Sequence, residues 1–476
     1  MRRASVPLRA LLIRDARGVD ESIQIFGGQD AIRALGEAGI PVAEIIVNRL
    51  LPKARPCSIC DRRRAEERQV LVRLRHGLGR ARRVRIVPAA IGEPRGVREL
   101  ATIGKRLMRS TTEDTSSTEE EVVQDSASVS TVSAVVESST VSESSRRTIA
   151  AEFLPALQGA SLIFFGGKGG VGKTTVAAAT ALRLARSDPG RNVLLLSTDP
   201  AHSLADVLRA PVGDTPRRIP RGPRNLTARE LDAPRALAAR RSDLEAALKD
   251  LAEVFGVGGA LTGASRATEL MNLAPPGIDE LFGIISVFDA RGEYDTIVVD
   301  TAPTGHALRL LEMPDAAREW VQALMRVLMK YRAVVRPGPL GAALVELAKS
   351  VGELRTLLRD ALRTRFLIVT RAAELPRLET ERLARRLRRL KLSTPAIIVN
   401  AMTLAPGACP RCRATALAER RVVAALPRRW AIIQTPIAAP PPRGVSALER
   451  WAQSWVVSRL EAEAKGTRHQ HPALST

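Results

Sequence analysis

A glycine-rich loop between an apolar run and a helix-favouring run is the feature that most constrains how this chain of 476 residues can fold. The apolar run Ser161–Phe165 predicts a buried strand, and Thr174–Arg186 predicts the helix that follows. The spacing between them fits the pattern G-x-x-x-x-G-K-[ST], in which glycines let backbone N–H groups turn inward around phosphates. The loop residues are Gly167, Lys168, Gly169, Gly170, Val171, Gly172, Lys173, Thr174 and Thr175. The sequence therefore predicts a P-loop in which Lys173 reaches the β- and γ-phosphates and Thr174 holds Mg²⁺.

Two further apolar runs each end in an aspartate. Asn192–Asp199 and Thr296–Asp300 both predict buried strands, and the carboxyl ends of parallel strands are where open α/β sheets bind ligands. We expect Asp300 to hold Mg²⁺ through water and Asp199 to polarise an attacking water. Either aspartate alone would fit a simple turn cap, a frequent role of Asp before Pro. The three motifs in this order favour a nucleotide site.

Together these segments resemble the ArsA family. The resemblance rests on the extra Lys168 in the P-loop, on Asp199-Pro-Ala-His-Ser203 and on the segment Asp300–Leu311. That family comprises arsenite-pump ATPases and the ATPases that target tail-anchored membrane proteins, and the resemblance covers roughly residues 155–460. It implies an α/β fold, a doubly wound, mostly parallel P-loop NTPase sheet with a helical insertion, and a chain that binds and hydrolyses ATP. It also implies a deviant Walker A motif in which Lys168 acts across a dimer interface.

The same resemblance assigns further residues. It implies that Asp199 is the catalytic acid, that His202 and Asp206 belong to switch I, and that Asp300 through His306 form switch II. Adenine and ribose contacts are implied for Asn400 and for the Thr435-Pro436 region. Glu374 matches a nucleotide contact of the family less securely, because the spacing around it varies.

An internal repeat precedes the P-loop. Ile45–Asn48 is matched by Ile397–Asn400, and Pro94–Val97 is matched by Pro442–Val445. Residues 8–109 thus correspond to residues 366–460, without a P-loop or a switch segment, so we expect a partial copy of the same fold. Either that copy has decayed or the coding sequence has been started too far downstream. The expected organisation is a partial module at 1–110, a disordered acidic Ser/Thr-rich linker at 111–150, a complete ATPase domain at 151–465 and a flexible tail at 466–476.

All four cysteines lie at matching positions of this repeat, in two C-x-x-C loops. They are Cys57, Cys60, Cys409 and Cys412. Two such pairs supply the four thiolates of a structural Zn²⁺ site. Ordinary thiols, a redox dithiol and an iron–sulfur cluster are the alternatives, and the last would be typical of cluster-scaffold ATPases. Because those scaffolds lack the Asp-Pro-Ala-His switch, we favour zinc.

The net charge of +23 is the property that would favour a nucleic-acid partner. Only 3% of the residues are aromatic, and the arginines are spread over predicted helices, as in Arg382–Arg389. We therefore expect no nucleic-acid partner and leave acidic lipid headgroups or an acidic protein open. The chain has no run of 18 apolar residues that would span a membrane, and we expect a cytoplasmic protein.

The sequence favours an ATPase whose nucleotide-dependent dimer closure is coupled to a membrane transporter subunit or a hydrophobic client protein. The dimer is either a homodimer or an intrachain pseudo-dimer. Residues Ala316–Leu362 predict helices with a Met-containing apolar face, which suits a client groove but is also typical of ordinary core. A separate arsenite site is not supported, because no cysteine lies between Cys60 and Cys409. The rival interpretations are a metal-bridged protein without hydrolysis and a MinD-type ATPase, which would use Ser446–Lys465 as a membrane helix.

Overall fold

The computed structural model describes most of both copies of the repeat and the P-loop region between them. The residues it describes are 11–13, 32–33, 35–53, 56–80, 82–109, 147–148, 157, 159–199, 203–231, 290–301, 311–312, 314–315, 317–319, 321–323, 325–326 and 339–459. We call the part up to residue 109 the first module and the part from residue 147 onward the second module.

The strands run in chain order through both modules. They are β1 (Leu11–Ile13), β2 (Glu44–Leu50), β3 (Arg83–Pro88), β4 (Arg147–Thr148), β5 (Leu162–Gly166), β6 (Val193–Ser197), β7 (Arg217–Arg218), β8 (Leu226–Glu230), β9 (Thr296–Asp300), β10 (Thr364–Arg371), β11 (Ala396–Met402), β12 (Ala431–Pro436) and β13 (Val456–Arg459). The helices are α1 (Ser58–His76), α2 (Gly96–Arg109), α3 (Lys173–Ser187), α4 (Ser203–Leu208), α5 (Pro339–Arg359), α6 (Glu374–Arg389), α7 (Pro410–Ala424) and α8 (Val445–Gln453). A short 3₁₀ turn, Ala290–Glu293, precedes β9.

The second module is built on one large sheet. Its described strands lie in the order β4-β13-β12-β11-β10-β5-β9-β6-β8-β7. The run from β12 to β8 is parallel throughout, whereas β13, β4 and β7 pair antiparallel at the two edges. The carboxyl ends of β5, β6, β9, β10 and β11 therefore meet at one edge of the sheet, where such folds bind ligands.

Hydrophobic cores lie on both faces of this sheet. Along β5, Leu162 and Phe164 enter one core and Ile163 and Phe165 enter the other, because successive side chains of a strand point to opposite faces. The first core packs against α5 and α6, and the second against α3 and α8. Phe164 and Phe165 are almost fully buried, and truncating a buried phenylalanine to alanine typically costs about 3–5 kcal/mol. The fold is thus α/β with a mostly parallel sheet, as predicted.

The first module has a smaller parallel sheet in the order β1-β2-β3. Among its described residues, the core cluster contains four buried side chains, Ile45, Val47, Leu74 and Val84. Its described elements β1, β2, α1, β3 and α2 follow the same order as β10, β11, α7, β12 and α8 of the second module. This described core is small, so we expect contacts with the second module to contribute to the stability of the first.

Element ends differ from the sequence expectations in a few places. β6 ends at Ser197, two residues before Asp199. Val456–Arg459, inside the run considered as a membrane helix, is an edge strand that pairs with β12 and with Arg147–Thr148, two residues placed in the predicted linker. The rest of that linker, the predicted tail, His202, His306 and much of the predicted helical insertion lie outside the described residues. Within the described part of the chain, none of the helices combines the length and apolar character of a membrane span.

Candidate nucleotide and metal sites

The predicted P-loop connects β5 to α3. Gly172 precedes α3 with φ +89°, a left-handed conformation that glycine adopts without strain. A Cβ atom at this position would lie 2.2 Å from Nδ2 of Asn400, so a side chain would not fit. The loop therefore brings backbone N–H groups to the amino end of α3 in the arrangement that binds phosphates.

Lys173, Thr174 and Asp300 come together below this loop. Lys173 is only 6% exposed, and Oγ1 of Thr174 lies 3.1 Å from Oγ of Ser203 at the start of α4. Asp300 is fully buried at the end of β9. Its Oδ2 accepts a weak 3.5 Å hydrogen bond from Ser197, while its Oδ1 has no hydrogen-bond partner among the described residues. A buried carboxylate oxygen without a donor, beside a hydroxyl and an ammonium group, fits the water shell of a bound Mg²⁺.

The burial of Asp300 changes its acidity. Loss of solvation raises the pKa of this carboxyl from its ordinary value of 3.8 to about 7, and the nearby Asp199 adds to the rise. The positive charge of Lys173 and the nearby hydroxyl of Thr174 oppose it. In the absence of Mg²⁺ the site therefore holds this carboxyl partly protonated near neutral pH, and a bound cation would favour its charged form.

Asp199 lies two residues beyond the end of β6, half-buried at the same sheet edge. Its backbone N–H donates to Oγ of Ser197 over 3.3 Å. Asp206, also assigned to switch I, is exposed on α4. The amino end of α4 is held by Glu230, which the sequence analysis missed: its Oε1 accepts hydrogen bonds from the N–H groups of Leu204 and Ala205, at 2.8 and 3.3 Å.

Asn400 and Thr435 support the P-loop from behind. Nδ2 of Asn400 donates to the carbonyl of Val171 over 2.7 Å, and Oδ1 accepts from the hydroxyl of Thr435 over 2.6 Å. Asn400 is only 4% exposed, and Pro436 ends β12 directly after Thr435. The described contacts thus give Asn400 a role in fixing the loop, and its contact with adenine or ribose stays a prediction.

Lys168 in the P-loop and Glu374 at the start of α6 lie on the side of the loop that faces the first module. Nζ of Lys168 pairs with Oε1 of Glu379 over 2.9 Å, an ion pair within one chain. Glu374, at the start of α6, pairs with Arg377 over 2.5 Å and lies 3.7 Å from Nη2 of Arg95 in the first module. Both predicted residues line a cavity of about 390 Å³. We call it the P-loop cavity.

The four cysteines form one cluster at the contact between the modules. Cys57 and Cys409 are the residues that precede α1 and α7, and Cys60 and Cys412 lie in the first turns of these helices. All four Sγ atoms lie within 4.8 Å of one another, with Cys412 at 3.7 Å from Cys57 and 3.5 Å from Cys60. A tetrahedron with Zn–S bonds of about 2.3 Å has edges of about 3.8 Å. The cluster therefore fits a Zn²⁺ ion held by a single chain.

The thiols of this cluster differ in acidity. A hydrogen bond from the backbone N–H of Cys60 is the main cause that lowers the pKa of Cys57 to about 7. Burial raises the pKa of Cys60 to about 11 and also raises that of Cys412. Such a cluster is costly to ionise without a cation, and a divalent metal ion would favour the thiolates.

A glutamate within each of the helices α1 and α7 is a second residue type that sequence reasoning missed. Oε2 of Glu67 accepts from the N–H of Leu51, and Oε2 of Glu419 accepts from the N–H of Thr403, both over 2.7 Å. The two glutamates are separated by the same number of residues as Cys60 and Cys412, which are 352 apart. That constant offset is the signal that could have identified them.

Contacts near the P-loop cavity complete the junction of the modules. Oε2 of Glu93 accepts from the N–H of Leu375 over 3.0 Å, and the guanidinium of Arg411 donates to the carbonyl of Ala89. The first module therefore lies against the second at the P-loop face as well as at the cysteine cluster.

Comparison with known proteins identifies the chain at the level of a family. The family model described as anion-transporting ATPase matches residues 18–109 and 160–455. ATPase GET3 of Zygosaccharomyces rouxii is 31% identical over 325 residues, which cover 61% of this chain and 88% of that protein. ATPase GET3 of Komagataella phaffii is 28% identical over 324 residues, which cover 64% and 92% of the two chains. Since the family model matches well over half of the sequence, the chain belongs to the anion-transporting (ArsA) ATPase family and is an ATPase.

Proposed function

We propose that this chain binds Mg·ATP at the P-loop of the second module and hydrolyses it with Asp199 as the residue that activates water. The observation that carries the proposal is the grouping of Lys173, Thr174 and fully buried Asp300, whose Oδ1 has no hydrogen-bond partner among the described residues. Lys173 would neutralise charge on the β- and γ-phosphates, and Thr174 and Asp300 would hold Mg²⁺. The bound Mg²⁺ would neutralise the charge that develops on the phosphates.

We also propose that the first module is a partial copy of the second and occupies the place of a dimer partner. The shared element order, the equivalent hydrogen bonds of Glu67 and Glu419 and the pairing of the two C-x-x-C loops support this proposal. Zn²⁺ bound by the four cysteines would then join the modules within one chain. Lys168, the additional lysine of the deviant Walker A motif, would then act at this junction and affect the rate of hydrolysis rather than the affinity for nucleotide.

Binding of ATP would close this pseudo-dimer, and that conformational change would act on a partner protein. The family resemblance supports two classes of partner, a membrane transporter subunit and a hydrophobic client protein. A client would bind the Met-containing helices after switch II, part of which lies outside the described residues.

ATP turnover by the purified full-length chain tests the core of this proposal. Lys173→Ala should abolish phosphate binding, because it removes the buried cation of the loop. Asp199→Asn should retain bound ATP and slow hydrolysis by on the order of a hundredfold or more, since it removes the group that activates water. Glu346→Gln, an exposed position on α5, is the matched control and should leave both quantities unchanged. Normal turnover by Asp199→Asn would contradict the assignment.

A further inference from the structure

Three loops lie side by side at the edge of the large sheet that is opposite the P-loop. They are residues 360–363, 390–395 and 425–430, which lead from α5, α6 and α7 into the strands β10, β11 and β12. These strands are parallel neighbours, and the carbonyls of Ser393 and Pro395 in the middle loop accept backbone hydrogen bonds from β10 and β12. The P-loop follows the carboxyl end of β5, which is parallel to β10, so these loops do not overlap the nucleotide site.

Positive charge is concentrated at this edge. Six exposed cations of the three loops and the last turn of α6 have no ion-pair partner among the described residues: Arg363, Arg388, Arg389, Lys391, Arg428 and Arg429. The loops contain one acidic residue, Asp360, whose Oδ1 accepts hydrogen bonds from the N–H groups of Leu362 and Arg363, at 2.8 and 3.2 Å. We call the three loops together with the last turn of α6 the basic edge.

These cations are more than the usual basic end of a helix. The helix dipole favours cations in a last turn, which accounts for Arg388 and Arg389. Lys391, however, lies beyond the end of α6 with φ +59°, a left-handed conformation that glycine adopts without strain. Burial, and then the positive charge of Arg388, lowers the pKa of Arg429, so these two cations of different elements repel each other. The chain thus keeps cations at this edge where local stability favours a glycine or fewer charges.

Leu362 adds an apolar side chain to the basic edge. It lies in the first loop, next to Arg363, and is 74% exposed. Its backbone N–H is held by Asp360, so the turn that exposes it is fixed by a hydrogen bond. An apolar side chain among cations is typical of surfaces that contact membranes, because the apolar group enters the headgroup layer while the cations attract acidic lipids.

The aromatic residue of these loops does not favour a nucleic-acid partner. Trp430 is only 4% exposed, and the guanidinium of Arg429 lies over its ring, 4.2 Å from the centroid. Bases therefore cannot stack on it, whereas proteins that bind single-stranded nucleic acids use exposed aromatic side chains for stacking. The cations and Leu362 together fit a lipid surface better.

We propose that the basic edge docks on a membrane surface that contains acidic lipids. The six cations contact the headgroups, and Leu362 enters the interface between headgroups and acyl chains. The contact weakens as salt is added, because exposed charges are screened over about 8 Å at physiological ionic strength. The P-loop, at the opposite edge of the sheet, stays accessible to nucleotide on the docked chain.

Flotation of the full-length chain with lipid vesicles tests this proposal. The chain should bind vesicles of phosphatidylserine and phosphatidylcholine in equal parts, and it should not bind vesicles of phosphatidylcholine alone. The triple variant Arg389→Gln/Lys391→Gly/Arg428→Gln should bind the acidic vesicles about fivefold more weakly per lost cation, or on the order of a hundredfold in all. Since glycine suits the backbone at residue 391, this variant should fold. Leu362→Ala, which keeps every charge, should also weaken binding because it removes apolar area.

A second triple variant controls for the net charge of +23. Arg68→Gln/Arg217→Gln/Arg218→Gln removes three exposed arginines from α1 and from β7, the strand at the far end of the sheet, and should bind acidic vesicles nearly as wild type does. Equal losses by the two triple variants, or equal binding to both kinds of vesicle, would overturn the proposal. So would a chain that does not bind acidic vesicles, and binding of an RNA oligonucleotide that only the first triple variant loses would then assign the basic edge to nucleic acid.

Discussion

Replacing Asp300 by asparagine removes a charge from a position that the fold buries completely. In the chain without Mg²⁺, burial raises the pKa of this carboxyl from 3.8 to about 7. One pKa unit corresponds to about 1.4 kcal/mol, so keeping Asp300 ionised in the folded chain costs on the order of 4 kcal/mol. The asparagine variant has nearly the same shape and does not carry this cost.

The sign of the pH dependence follows from the direction of the shift. A group whose pKa is higher in the folded state binds more protons there than in the unfolded state, so the stability it contributes is lost as pH rises. For Asp300 that loss runs from about pH 4 to about pH 7. The free energy of unfolding of Asp300→Asn, relative to wild type, should therefore increase by about 3 kcal/mol between pH 5 and pH 8.

Urea unfolding in the presence of a metal chelator measures this difference. Tryptophan fluorescence will report the transition, because Trp430, Trp451 and Trp455 are buried in the second module. Glu346→Gln removes one exposed carboxylate, and its free energy of unfolding should vary with pH as that of wild type does. A relative stability of Asp300→Asn that is constant with pH, or that falls as pH rises, would refute the account of this buried carboxyl.

Mg·ADP should reverse which of the two proteins, wild type or Asp300→Asn, is the more stable. The cation supplies the positive charge that the buried carboxylate lacks, so wild type should gain stability on binding. Asp300→Asn should gain less, because its side chain carries no charge to interact with Mg²⁺. An equal gain by both proteins would show that Asp300 is not part of the Mg²⁺ site.

Two other predictions concern the junction of the modules. Lys168→Ala should reduce ATP hydrolysis while the affinity of the P-loop for ADP stays nearly unchanged, and equal losses of rate and affinity would make Lys168 an ordinary loop residue. Metal analysis of protein purified under reducing conditions should find one zinc per chain, which the double variant Cys57→Ser/Cys409→Ser should lose because half of the ligands are gone. Iron with sulfide would indicate a cluster scaffold instead, and a metal-free protein would contradict the zinc site.

The parts of the fold that the sequence predicted well are those whose signals are local. β9 has the predicted bounds, because a run of buried apolar residues ends at a single aspartate. The strand, loop and helix around Gly172 are also as predicted, since the glycine spacing constrains the backbone directly. The strand β13 was missed, because Val456–Arg459 becomes a strand only through pairing with β12.

The contacts between the modules could not be predicted for a related reason. Glu93 and Arg95 reach Leu375 and Glu374 only once both modules are folded, and no local pattern marks such a pair. The cysteine cluster was predictable because its chemistry needs four ligands and the chain has only four cysteines. Glu67 and Glu419 carried a detectable signal in their constant offset, but a single glutamate has too many common roles to stand out.

The ribosome synthesises the two cysteine pairs of the cluster at widely separated times. Cys60 and Cys412 are 352 residues apart, and at about 5–20 residues per second their synthesis is separated by on the order of 20–70 s. Over that interval the described residues of the first module have a core cluster of only four buried side chains, and Cys57 and Cys60 lack their partners Cys409 and Cys412. We therefore expect the first module, although it leaves the ribosome first, to be the last part of the chain to reach its final structure, and a nascent chain to depend on helper proteins until α7 is made.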